Sequence, residues 1–200
     1  MARPIENSRK AAHPVDPLFT ERWSPRSFTG EEIPVETLMT MLEAARWSPS
    51  SYNSQPWRFL WARRGTPAFQ TFLDLLVPGN KAWCENASAL VFVASSKTMS
   101  VPGKDAPVPS RTHSFDAGAA WMALSIQAHM LGWHTHGMIG LDYEAATKAL
   151  RVPEGFHLEM ALAVGKRDEP EKLSDSLKAR EAPNDRKPLS EIAFEGGFPA

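Results

Sequence analysis

The sequence contains a single cysteine, Cys84, in 200 residues. One thiol cannot close an intramolecular disulfide, so the fold must be held by its core. Trp83, Ala87 and Leu90 surround that cysteine with apolar side chains, a setting that suits a structural thiol over a reactive one. No apolar run approaches the roughly 18–20 residues needed to span a bilayer. Met1 to Lys10 is polar and mixed in charge, so a cytoplasmic protein with no membrane partner is expected. A charge excess is missing too: 22 Lys and Arg face 23 Asp and Glu, a formal net charge of -1. Without a global basic field, nucleic acid is not expected as a partner. No Gly-x-Gly-x-x-Gly follows a strand-like run, which leaves a Rossmann dinucleotide site unsupported. Internal repeats and low-complexity tracts are absent.

What is present fits one globular domain, with 42% hydrophobic and 22% charged residues. Residues 1–17 carry three prolines and little periodicity, the pattern of a flexible arm, and 18–200 form the single folded domain. Apolar residues at helical spacing from Val35 to Ala45, with Glu31, Glu32 and Glu36 at the start, predict a helix that Pro49 ends. A short strand is expected over Arg58 to Ala62. A helix is expected over Pro67 to Val77, broken at Pro78-Gly79-Asn80. Ala89 to Ser95 is continuously apolar, the mark of a central strand covered on both faces. Lys97 to Thr112 holds three prolines and reads as a mobile surface loop that could serve as a lid. Ser114 is a plausible N-cap for a long apolar helix that runs to Gly132 as its C′ residue. An alanine-rich helix over Glu144 to Leu150, a buried strand over Leu158 to Val164 and a charged, extended tail complete an α+β architecture of about four strands and five helices. Helices are expected on both faces of the sheet.

Two segments carry chemistry. Arg22-Trp23-Ser24-Pro25-Arg26-Ser27-Phe28 places two guanidinium groups four residues apart with a hydroxyl between them. Guanidinium forks match phosphate oxygens in charge and geometry, although a solvated basic stretch reads the same way on these seven residues alone. Ser48 to Phe59 joins a helix to a strand through Pro49, Ser50, Ser51, Asn53 and Gln55. Small polar residues of this kind let backbone N–H groups and amides approach a planar heterocycle.

Together, Arg-x-Ser-x-Arg-x-Phe, a helix ending Ala-x-x-Ser-Pro-Ser-Ser, and Asn-x-Gln-Pro-Trp-x-Phe resemble, in order and spacing, the opening third of the FMN-dependent nitroreductase family. Asn80 ahead of Cys84-Glu-Asn-Ala resembles the family's amide near the flavin ring. Phe115-Asp116-Ala-Gly resembles the start of its central dimer helix, and Leu131-Gly132-Trp133 is shared. Gly137-Met138-Ile139-Gly140-Leu141-Asp142 resembles its loop beside flavin N5 and O4, and Arg186-Lys187-Pro188-Leu189 its basic C-terminal phosphate contact. The resemblance runs from Arg22 to Phe198.

It implies a nitroreductase-like fold, a mainly antiparallel sheet flanked by helices, in an intertwined homodimer. It implies that Arg22, Ser24, Arg26 and Arg186 hold the FMN phosphate, with Trp23 acting through its backbone. Pro49, Ser50, Ser51 and Asn53 would reach the flavin from the other subunit, while Asn80, Ile139 and Gly140 would lie beside the ring. The implied activity passes hydride from NADH or NADPH through flavin N5 to a small-molecule acceptor such as a nitro compound or quinone, with no catalytic side chain. Enone reduction, dehalogenation or flavin fragmentation on the same fold is the alternative, as is a non-catalytic FMN-storage protein. Many family members have an acidic residue at the Ile139 position and a longer insertion where this chain has 97–112, which leaves the pocket roof open.

Rival constellations are weaker. His129, His134 and His136 have no carboxylate or thiol nearby in sequence to make a metal site. His113, Ser114 and Asp116 offer hydrolase residue types but sit at a helix start, where capping explains them. Trp47, Trp57, Trp61 and Trp121 read as core or dimer interface.

Overall fold

Residues 7–199 are described by a computed structural model. Its centre is the apolar run expected to be covered on both faces: β2, Ala89–Ser96, in which every residue but the last is buried. The period of two sorts its side chains. Leu90, Phe92 and Ala94 enter one core, while Ala89, Val91 and Val93 enter the other.

β2 pairs on one side with β1, Trp57–Arg63, and on the other with β6, Phe156–Gly165, which in turn pairs with β5, His134–Met138. All three pairings are antiparallel. Between Val93 and Ala94 the register slips past Glu159, so that residue bulges from β6.

One face of the sheet is covered by α2, Val35–Arg46, and α5, His113–Met130. Leu38, Met41 and Ala45 recur at helical spacing on α2 and meet Ala117, Ala120, Leu124 and Ala128 of α5. The other face is covered by α3, Pro67–Asp74, α4, Pro78–Cys84, and α6, Tyr143–Ala149. Cys84 is fully buried there, 3.7 Å from the Met138 sulfur, and burial pushes its thiol pKa well up. A short helix α1, Leu18–Glu21, leads into Arg22, and α7, Asp175–Lys178, lies in the tail.

Several expectations are corrected. The helix from Pro67 stops at Asp74, and Pro78 does not merely break it but starts α4, where a first-turn proline loses no helical hydrogen bond. The 97–112 segment is not simply a loop, because Thr98–Met99 (β3) and Val108–Pro109 (β4) pair antiparallel. α5 begins at His113, and Ser114 does not cap it. The edge strand β5 was not anticipated, its His-Thr-His-Gly-Met sequence having little apolar alternation. The tail expected to be extended contains α7 and two 3₁₀ turns, Pro170–Lys172 and Leu189–Glu191. Trp47 (75% exposed) and Trp61 (37%) lie outside the core of this chain, whereas Trp83 and Trp133 lie inside it. Within the expected arm, Arg9 contacts the folded domain, as described below, and residues 1–6 and 200 lie outside the described residues. Among the described residues no helix is long and apolar enough to cross a membrane.

Candidate anion and cofactor site

A cavity of about 550 Å³ opens where the chain leaves α1. Arg22, Trp23, Ser24, Arg26 and Arg186 all line it, so the two basic segments named from sequence converge across more than 150 residues. Arg9, Arg180, Asn184 and His136 line it as well.

The cationic side chains are held under electrostatic load. Burial, then the charge of Arg186, pushes the Arg22 pKa below its ordinary value, and the Arg22 Nε is buried without a hydrogen-bond partner among the described residues. Arg9 is pushed down by burial, Arg186 and Arg22, and Arg26 by burial and Arg180 with Glu181 opposing. Guanidinium groups that repel one another, one with an unmet buried N–H, are complementary to a multivalent anion.

Glu181 fixes the Arg26 turn. Its side chain is 1% exposed, and Oε1 accepts from the backbone N–H of Arg26 at 2.7 Å and of Ser27 at 2.9 Å. Its Oε2 stands 3.8 Å from the Arg26 guanidinium. The Ser27 hydroxyl donates to the Glu169 carbonyl at 2.5 Å, which ties the same turn to the tail again.

His136 reaches the cavity from β5. Its Nδ1 lies 3.0 Å from the Pro25 carbonyl and its ring packs at a tilt against Trp83, the centroids 4.8 Å apart. A carbonyl only accepts, so Nδ1 carries the proton. Burial, then the Arg26 charge, lowers the His136 pKa to about 4, so at neutral pH Nε2 bears a lone pair. The cavity lining therefore holds neutral acceptors, this ring nitrogen and the Asn184 side-chain oxygen, among its cations.

Asn80, Ile139 and Gly140 do not line that cavity but are brought to one another just beyond the end of β5. The Gly140 carbonyl accepts from the Asn80 amide at 2.9 Å and the Val77 N–H at 3.1 Å. A Cβ at Gly140 would meet Asn80 Nδ2 at 2.5 Å and Val77 Cγ2 at 2.9 Å, so the close approach requires glycine. Ile139 is 74% exposed, and neither its N–H nor that of Gly140 is committed to a backbone carbonyl among the described residues. This loop thus offers two backbone donors about 10 Å along the strand from His136.

Pro49, Ser50, Ser51 and Asn53 form a third group, which lines neither feature in the same chain. Around the 3₁₀ turn Ser51–Asn53, Tyr52, Asn53 and Gln55 have φ of 52°, 52° and 47°. The turn is held by Ser50 Oγ, which accepts from Gln55 N–H at 3.0 Å, and by Asp116, whose Oδ2 accepts from Ser51 N–H at 3.2 Å and Thr112 Oγ1 at 3.0 Å. Left-handed non-glycine residues are costly and concentrate where a loop meets a ligand. Tyr52 and Asn53 project outward, the former 64% exposed.

Sequence reasoning missed Arg9, Arg180, Glu181, Asn184 and His136. None has a local signal, since each acts through a contact that only the tertiary fold supplies.

The rival constellations resolve structurally. Ser95 Oγ lies 2.7 Å from His113 Nδ1, and the hydroxyls of Ser95 and of Ser114 both donate to Glu159 at its bulge. Ser95 is fully buried, and the exposed Ser114, 3.3 Å from the same His113 Nδ1, gives its hydroxyl proton to Glu159, so neither serine is paired with the imidazole as its base. Among the described residues no group of three His, Cys, Asp or Glu is arranged to hold a metal.

A sandwiched antiparallel sheet with an arginine-walled cavity beside its edge strand defines the architecture as α+β. The chain belongs to the nitroreductase family, whose model matches residues 19–166. It is 45% identical to an oxidoreductase containing FMN whose crystal structure superposes with a TM-score of 0.93, covering 98% of this chain and 99% of that one. An uncharacterised 15.4 kDa protein of Mycolicibacterium smegmatis is 31% identical over 148 residues, 70% of this chain and 95% of that protein. Iodotyrosine deiodinase of Thermotoga neapolitana is 24% identical over 166 residues, 76% of this chain and 88% of that enzyme.

Proposed function

We propose that this nitroreductase-family protein is a homodimeric FMN oxidoreductase that takes hydride from NADH or NADPH and reduces a nitro compound, quinone or related small molecule. The observation that carries the reading is the cavity in which Arg22, with its buried unpartnered Nε, faces Arg26 and Arg186. That donor set fits a phosphomonoester, and the 45%-identical oxidoreductase containing FMN supports the choice of flavin.

In this reading Arg22, Arg26, Arg186 and Ser24 bind the phosphate, and the Trp23 backbone shapes the floor. His136 Nε2 accepts from a ribityl hydroxyl. The Ile139 and Gly140 N–H groups, steadied by Asn80, face the polar edge of the ring. Pro49, Ser50, Ser51 and Asn53 close the site from the partner subunit. When bound, the flavin supplies two-electron transfer between a nicotinamide donor and an oxidised acceptor. The chain's contribution is position, exclusion of water and dipoles aimed at developing charge.

A dimer suits the large apolar side chains left exposed on this chain, among them Phe115 (81%), Trp47 (75%) and Met130 (68%). A cytoplasmic place of action fits a reaction that draws on a nicotinamide donor. The similarity to iodotyrosine deiodinase favours reductive dehalogenation as the second reading of the acceptor half. The test is an FMN titration of the purified protein followed by NADH and NADPH oxidation with nitroarene, quinone and halophenol acceptors. Failure to bind FMN, or the absence of turnover with every acceptor, rules the reading out, the latter in favour of flavin storage.

A further inference from the structure

The segment of the chain that matches the family model begins at residue 19 and ends at 166. Three of the guanidinium groups in that cavity, and one asparagine, lie outside it: Arg9, Arg180, Asn184 and Arg186. Arg9 is bound on three sides. Its Nη1 donates to the carbonyls of Thr20 at 3.2 Å and Arg22 at 2.7 Å. Its Nε and Nη2 donate to the backbone carbonyl and side-chain oxygen of Asn184 at 2.7 and 3.1 Å, across 175 positions of sequence. Four of the five guanidinium N–H groups are thereby used, and the fifth is left on Nη2 at the cavity wall. Asn184 also accepts from Arg186, through its carbonyl at 3.2 Å and its side chain at 3.1 Å.

We propose that Arg9 and Asn184 form a clasp over the phosphate end of the site, so that a bound phosphomonoester and the docked amino-terminal segment stabilise one another. The inference rests on the flavin-phosphate reading of the cavity. Docking Arg9 adds a third positive charge beside Arg22 and Arg186, and each of these charges disfavours Arg9 there. A dianion turns that repulsion into attraction and meets the remaining N–H. By reciprocity the docked segment raises phosphate affinity by the factor by which phosphate favours docking. Arg9 is in this sense a positioning residue for the anion, supplied from outside the segment that matches the family model.

Two measurements on the full-length protein test this. The first is titration with FMN and with riboflavin, which lacks the phosphate. Arg9→Ala and Asn184→Ala should each weaken FMN roughly tenfold, the scale of one charge-assisted hydrogen bond, and leave riboflavin unchanged. A global folding defect would weaken both flavins alike. The second is limited trypsin digestion at Arg9 and at the exposed Lys10. FMN and inorganic phosphate should slow this cleavage several-fold, and riboflavin should not. An unchanged FMN-to-riboflavin ratio in both variants overturns the clasp, as does equal cleavage with and without phosphate. If the wild type binds neither flavin, the cofactor reading fails and phosphate protection alone decides the clasp.

Discussion

The cavity around Arg22 and the loop around Gly140 are joined by β5, whose His136 lines the first and whose end at Met138 leads into the second, yet they hold their shapes by opposite means. The first is made of charge: Arg9, Arg22, Arg26 and Arg186 converge, and buried Glu181 braces the turn between them. The second is made of backbone: a glycine pressed against Asn80 and Val77, with two N–H groups uncommitted to any backbone carbonyl among the described residues. A charged end can be retuned one guanidinium at a time, and its losses should depend on the ligand's charge. A backbone end can only be deformed, and deformation should affect every ligand that touches the ring.

The sharpest way to separate the two ends is Arg22→Ala. Removing a partly buried guanidinium aimed at an anion forfeits about 2–3 kcal/mol, near 100-fold in affinity. FMN affinity is expected to fall by that factor and riboflavin affinity by less than threefold. Equal losses for the two flavins would mean that the ends do not act independently.

The strand that links the two ends gives the next effect. Burial is the largest cause for both His134 and His136, whose pKa values lie near 4 against an ordinary 6.5. The unfolded chain therefore binds more protons than the native one between those values. Stability is full above about pH 6.5 and is lost as pH falls toward 4, by on the order of 2 kcal/mol per histidine. Chemical denaturation across that window should follow this slope, and His136→Gln should remove about half of it. A slope unchanged by the substitution would place the proton uptake elsewhere.

Legibility in the sequence follows the same division. The doubly covered β2, the α2 stripe and the α5 C′ glycine were readable because each is a local pattern with a local cause. The Arg22 and Arg26 pair stood out by its four-residue spacing, and the structure brings both side chains to one cavity. Pro78 was misread because a proline breaks a helix interior but starts a helix equally well. Arg9, Glu181 and His136 left no trace, since their partners lie 175, 155 and 111 positions away. Such contacts are set by where the sheet edge and the tail finally lie, and no window of sequence contains both halves.

At the backbone end, Gly140→Ala should cost about 1–3 kcal/mol, the range for forcing an extra carbon into packed surroundings. The new Cβ would have to displace the Asn80 amide or Val77. Because the free N–H groups move with the loop, FMN and riboflavin should weaken by the same factor. A loss confined to FMN would contradict the division between the ends.

The smallest effect tests whether the 49–55 loop pays in stability for its shape. Tyr52 holds φ at 52° with its ring 64% exposed, so little packing is lost on removing the side chain. Glycine relieves about 1–2 kcal/mol of left-handed strain and gives back about 0.5–1 kcal/mol in unfolded-state entropy. Tyr52→Gly is therefore expected to raise stability by about 0.5 kcal/mol, while a looser loop weakens flavin binding a few-fold for FMN and riboflavin alike. Thermal unfolding of the flavin-free protein beside the two titrations reads both signs. If the variant is less stable, the left-handed turn is held by contacts of the tyrosine ring and stores no strain for the site.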